Sequence, residues 1–265
     1  MNKRWSSFLV TIWLAAATSG CGPGPAPTTV LPAPAPTSAP TPTAAPLPAP
    51  TLAPMELPAF LGRLHWLGHA SFRFDGPPTI YFDPVESSFT NEPPPADIIL
   101  ISHAHGDHYF PYTLRLISRP ETVIVTSRLV AMLAPSDDVP GQVQALKPGE
   151  RTTVGAVEIE AVPAYNVGKS FHPKESENLG FVVTLYGRRI YFAGDTDLIP
   201  EMAGIRADIA LLPVGGTYTM DAQEAAQAIA IIKPAIVVPM HLLDVDPETL
   251  RALCQCELVV MKDEH

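Results

Sequence analysis

The stretch ADIILISHAHGDHYF, residues 96–110, runs from an isoleucine-rich apolar segment into three histidines and an aspartate. ADIILIS, 96–102, is short, apolar and rich in isoleucine, and reads as a buried strand. His103 and His105 are two apart, so on extended backbone both side chains point to one face. Gly106 is expected to free the backbone for a tight turn where the strand ends. Asp107 and His108 follow the turn and can point back to the same spot. The chain has eight histidines, and three of them fall within these six positions. Imidazole and carboxylate donors converging at a strand end are how a divalent cation is held. Gathered without one, they would repel, desolvate or hydrogen-bond awkwardly.

Working outward, the sequence alternates strands with a few helices. GRLHWLG, ASFRFD and TIYFDP, within 62–84, read as three successive strands separated by glycine or proline turns. After the motif come a helix near Pro111–Ser118, a strand at Thr122–Thr126 and a short helix at Ser127–Ala134. TTVGAVEIEAVPA, 152–164, reads as a hairpin turning at Gly155, and 178–197 as a second turning at Gly187. ADIALLPV, 207–214, precedes the helix DAQEAAQAIAIIK, the strand AIVVPMH, a helix at Pro247–Leu253 and the strand ELVVMK. ADIILIS and ADIALLPV begin alike, a hint of two similar halves. Strand groups with helices outside them suggest sheets packed face to face and covered by helices.

The remaining polar candidates also sit where strands end. Asp195 follows RRIYFAG, His241 follows AIVVPM, and His172 lies in the loop after EIEAVPAYN. Alone, Asp195 is a turn residue and His241 a capping or buried histidine. Together, ligands from separate strand ends make a coherent open site.

HxHxDH at 103–108, GDT at 194–196 and PMH ending in His241 resemble the metallo-β-lactamase superfamily. WLGHASF (66–72), YFDP (81–84), PAYN, FHPK, GDTDLIPEM and LLPVGGTYTMDAQEA are similar to its small metal-dependent hydrolases. That branch is related to ascorbate-phosphate lactonases and N-acylethanolamine-releasing phospholipases. The resemblance implies an α/β fold, an αββα four-layer sandwich with two metals at one edge of the β-core. Carried over, His103, His105 and a third ligand form site one. Asp107, His108 and His241 form site two, and Asp195 bridges the metals. Relatives have a histidine where this chain has Asn166, so the third ligand is expected to be His172, with Asn166 or water as the alternative. Asp83 is expected to support the histidine loop by accepting backbone N–H groups.

A ligand set without thiolate suits Zn²⁺, with Mn²⁺ or Fe²⁺ as competitors. Two such cations sharing a water lower its pKa to about 7, which makes hydroxide available to attack a carbonyl or phosphoryl centre. Asp107 and Asp195 would orient the nucleophile. His69 and Tyr218 are candidates to protonate the leaving group. His69 can equally be packed beneath the site, and Tyr218 can carry a structural hydroxyl. Gly215 and Gly216 are expected to let backbone approach the substrate. The expected activity is hydrolysis of an ester, lactone or phosphodiester, the substrate being a small molecule or lipid. The alternative is a tethered surface domain that binds metal without catalysis.

The N-terminal segment carries an expectation about where the protein works. Residues 1–21, MNKRWSSFLVTIWLAAATSGC, place Lys3 and Arg4 before an apolar segment about half as long as a bilayer needs. That pattern reads as an export signal. TSGC resembles the lipobox of bacterial lipoproteins, which implies lipidation of Cys21 and anchoring to the outer face of a bacterial membrane. Thr18 stands where leucine is commonest, and the alternative is ordinary cleavage to a secreted or periplasmic protein, or an uncleaved anchor. Residues 22–58 hold 13 of the 31 prolines and one charge, Glu56, and read as an extended spacer. Residues 59–265 are then one hydrolase domain of ordinary size. Loss of residues 1–20 removes two positive charges and takes the net charge from −10 to −12. That argues against nucleic acid as a partner. Cys254 and Cys256 are two residues apart, where a bridge would be strained in a strand or helix, and read as structural or incidental thiols.

Overall fold

The computed structural model describes Gly24, residues 52–85, 92–243 and 245–263. The export signal, Cys21 and the spacer up to Thr51, Gly24 aside, lie outside the described residues. Packing begins at Leu52, inside the stretch read as spacer. Leu52, Met55 and Leu57 lie against the core, and Met55 N–H donates to Tyr186 O at 2.9 Å.

After a short helix α1 (Leu57–Leu61), six strands form the first sheet, in spatial order the same as chain order. They are β1 (Leu64–Trp66), β2 (Phe72–Phe74), β3 (Ile80–Phe82), β4 (Ile98–Ile101), β5 (Val123–Ser127) and β6 (Gln142–Leu146), with α2 (Pro111–Ile117) and α3 (Arg128–Leu133) between. Seven strands follow in the second sheet: β7 (Arg151–Val154), β8 (Val157–Pro163), β9 (Leu179–Leu185), β10 (Arg188–Phe192), β11 (Ile209–Pro213), β12 (Ile236–Met240) and β13 (Glu257–Leu258). Helices α4 (Ala222–Ile232) and α5 (Glu248–Leu253) belong to this half. Among the described residues no helix is long and apolar enough to cross a membrane.

The two halves share a plan. Each begins with antiparallel pairs and ends with parallel ones. The repeated Ala-Asp-Ile has one job in both. Asp97 accepts Thr79 N–H on its carboxylate and donates its own N–H to Thr79 O. Asp208 makes the same two bonds with Arg189. Each aspartate therefore sets the register where a parallel strand joins its neighbour.

Alternation along β4 explains the layering. Ile98 and Leu100 enter the large core shared with Phe181, Ile190 and Phe192 of the second sheet. Ile99 and Ile101 point the other way, into a second cluster with Leu114, Ile117 and Val130 of α2 and α3. A strand buried on both faces reads as a continuous apolar run. On the far side, α4 presents Ala225, Ala228, Ile229 and Ile232 to the core. The order is helix, sheet, sheet, helix. Asp221 opens α4 with a capping box closed by Glu224.

Three expectations need correction. Strand β6, QVQAL, shows little burial outside Leu146, so its polar alternation hid a strand. The strand expected over ELVVMK shrinks to Glu257–Leu258. Cys254 and Cys256 are disulfide-bonded, with Cα atoms 5.4 Å apart. They lie in the bend between α5 and β13, not in a strand or helix, and the bend brings them within reach.

Candidate metal centre

Every candidate follows a strand at the same edge of the two sheets. Asp83 follows β3, His103 follows β4, Asp195 follows β10 and His241 follows β12. His69 lies in the turn between β1 and β2, and Asn166 and His172 lie in the loop after β8. Carboxyl ends of parallel strands are where such folds place ligands.

His103, His105 and His172 converge as one group. Nε2 of His103 and Nε2 of His172 each lie 3.0 Å from Nδ1 of His105. Burial pushes the His103 imidazole well below its ordinary pKa, with His108 nearby adding to the shift. Burial likewise lowers His172. Imidazole nitrogens converging on one point are suited to a cation.

Asp107, His108 and His241 form a second group, and His69 joins them. Nε2 of His69 lies 3.2 Å from Oδ2 of Asp107, and its ring centroid lies 4.0 Å from that of His241. His69 is thus at the rim, partly exposed, rather than packed beneath the site. Its contact holds the Asp107 carboxyl well below the usual carboxylate range.

Asp195 stands between the groups. Oδ1 lies 3.3 Å from His108 Nε2, and Oδ2 lies 3.2 Å from His241 Nε2 and 3.4 Å from His172 Nε2. Burial would raise its pKa, but the His108 and His241 imidazoles outweigh that and hold it ionised. Oδ1 of Asp195 and Nε2 of His108 are buried and have no hydrogen-bond partner. Buried polar atoms are rarely left so, and two facing each other at a histidine cluster fit a bound cation.

Asp83 supports this arrangement from behind. It is fully buried and accepts Ser102 N–H at 2.7 Å, Ser102 Oγ–H at 2.5 Å and His108 Nδ1 at 2.6 Å. His103 Nδ1 rests 2.9 Å from the same Ser102 hydroxyl. One carboxylate and one hydroxyl thus orient two imidazoles so that each presents Nε2 forward. The backbone bond was expected; the contact to His108 and the part of Ser102 were not.

Asn166 does not enter the first group. Its Nδ2 donates to Tyr218 O at 2.7 Å and stands 3.3 Å from Nδ1 of His172, on the rear of the ring. The loop between them is held by Lys169, which sequence reasoning missed. Its Nζ donates to Asp197 Oδ1 at 2.6 Å, Thr219 O at 2.6 Å and Gly216 O at 3.1 Å. Asp197 also accepts Val167 N–H at 2.8 Å. One cation therefore ties together the loops carrying His172, Asp195 and Tyr218.

Two glycines act otherwise than expected. Gly106 leaves open space where a Cβ would be and has no positive φ, so the turn does not depend on it. Hydrogen bonds from His108 and Tyr109 N–H to His105 O build it instead. Gly215 packs on His241: a Cβ would meet His241 O at 2.5 Å and Nδ1 at 3.1 Å. It makes room for a site residue, not for substrate. Meanwhile His69, Asp83, His172 and His241 all have left-handed backbone, φ 38–49°. Each costs roughly 1–3 kcal/mol, a concentration of strain typical of functional sites.

Fold and site together define a metal-dependent hydrolase. The chain belongs to the metallo-β-lactamase superfamily: residues 63–241 match the Beta-lactamase superfamily domain. It is 30% identical to a UPF0173 metal-dependent hydrolase of Archaeoglobus fulgidus, over 76% of this chain and 96% of that one. It is 38% identical to another of Methanoculleus marisnigri, over 68% and 80%. A crystal structure of a metal-dependent hydrolase from Parabacteroides distasonis superposes with TM-score 0.69 at 32% identity, covering 76% of this chain and 93% of that one.

Proposed function

We propose that the protein is an exported hydrolase, tethered to the outer face of a bacterial membrane through lipidated Cys21, that acts on an ester, lactone or phosphodiester. The observation that carries the reading is Asp195, whose two oxygens face the two histidine groups. His103, His105 and His172 would hold one divalent cation and Asp107, His108 and His241 a second, with the Asp195 carboxylate lying beside both groups. Zn²⁺ suits these donors best, and Mn²⁺ or Fe²⁺ compete. Such cations bring the pKa of a water at the site to about 7 and stabilise negative charge developing on the substrate.

The chain's own residues do the rest. Asp107, partly exposed and ionised, would orient the attacking water, while His69 hydrogen-bonds that carboxylate and is placed to pass a proton to the leaving group. Asp83 and Ser102 keep His103 and His108 facing forward. Export has the support of the signal sequence, and the Cys254–Cys256 pairing suits an oxidising compartment.

The test is turnover of an ester, lactone and phosphodiester panel by the zinc-loaded full chain beside His103→Ala and Asp195→Ala. Loss of about a hundredfold or more in both is expected. Undiminished turnover in either would refute the mechanism. A metal-loaded chain inert on every substrate would favour the alternative, a surface domain that binds metal without catalysis.

A further inference from the structure

Resting on that reading, the structure assigns a substrate class: we propose that Phe171 and Tyr218 form an apolar subsite that selects neutral esters or lactones with a short alkyl or acyl part, over phosphodiesters. A pocket of about 210 Å³ opens on the metal groups, lined by His105, Asp107, His172, Asp195 and His241 with Phe171 and Tyr218. This is below the roughly 300–1,000 Å³ usual for drug-sized ligands, so a small molecule or the end of a longer one fits.

The two aromatic rings meet edge to face with centroids 4.6 Å apart. They are nevertheless 42% and 38% exposed, so the pair is held in place yet leaves apolar surface open to a ligand. Phe171 immediately precedes His172, and its loop is pinned by the Lys169 clamp; Tyr218 is pinned through its carbonyl by Asn166. The subsite therefore sits on loops that Lys169 and Asn166 already hold in place, while the Phe171 and Tyr218 rings themselves make no contact that orients a ligand group. Apolar surface fixed beside a reactive centre is where the non-reacting part of a substrate contributes binding energy.

Charge points the same way. Among the described residues no lysine or arginine lines the pocket. Lys169, in the loop that carries Phe171 and His172, is consumed by Asp197 and two carbonyls. A phosphoryl group would meet only the proposed cations here, without the charge-assisted side-chain hydrogen bonds that ordinarily hold its remaining oxygens. A neutral carbonyl substrate needs none.

The experiment measures binding as well as rate. Zinc-loaded full chain, Phe171→Ala and Phe171→Leu are titrated with acetate and hexanoate by calorimetry. The same proteins are assayed on p-nitrophenyl acetate, p-nitrophenyl hexanoate and bis-p-nitrophenyl phosphate. Hexanoate is expected to bind at least about tenfold tighter than acetate, from the extra methylenes buried. Phe171→Ala is expected to lose most of that difference with zinc content unchanged, and Phe171→Leu to restore part of it. Acetate and hexanoate binding equally well would overturn the subsite, whatever the rates. So would phosphodiester turnover matching that of the hexanoate ester. Hexanoate preference intact in a chain that hydrolyses neither ester nor phosphodiester would uphold the apolar subsite and refute the hydrolase reading instead.

Discussion

Lys169→Met offers a sharp perturbation, because it removes one charge and nearly preserves volume. The lysine side chain is 25% exposed and its partner Asp197 only 2%. Without the ammonium, Asp197 keeps one donor, Val167 N–H, and the carbonyls of Gly216 and Thr219 lose a partner. Breaking a buried pair by removing one member costs about 3–5 kcal/mol. Partial exposure of Lys169 lets water reach the remaining carboxylate, which brings the expected loss to about 2–4 kcal/mol. In a domain of this size that is a fall in Tm of roughly 5–15 °C. The loop carrying His172 should loosen as well, weakening metal at the first group by about 10–100-fold. Thermal melts of the metal-free protein and chelator competition on the loaded one read the two effects separately. A melt within about 1 °C of the parent, with unchanged zinc affinity, would refute the clamp.

Two further outcomes follow from the same geometry. Asp83→Ala leaves His108 Nδ1 and Ser102 N–H without their acceptor, and zinc affinity should drop by about 10–100-fold in a chelator titration; an unchanged affinity would deny Asp83 its orienting part. Gly215→Ala places a Cβ 2.5 Å from His241 O, and denaturant unfolding should show a loss of about 1–3 kcal/mol, with stability equal to the parent counting against the close packing.

Much of the fold was legible because β4 and β11 are buried on both faces and so read as unbroken apolar runs. Turns at Gly155 and Gly187 were legible because both have positive φ, 59° and 70°. Strand β6 was not, since a half-exposed strand with Gln142 and Gln144 has no apolar run to announce it. At the site, His103, His105, Asp107 and His108 were readable from local spacing alone. Asp195 and His241 needed the inference that strand ends meet, and His172 needed the family resemblance, which leaves Asn166 where relatives have a histidine. Lys169 and Asp197 gave no signal, because a lysine in a polar loop looks solvated until a carboxylate 28 positions away is folded onto it. Ser102 was hidden likewise: its hydroxyl serves Asp83 and His103 at once, which no sequence spacing expresses.

The central claim is that two ligand groups share Asp195. Elemental analysis of the purified full chain, reconstituted with zinc, beside His172→Ala and His241→Ala, tests it most directly. About two zinc ions per chain, falling to about one in each variant, is the expected result. A single ion per chain in the parent, or no change in either variant, would contradict it.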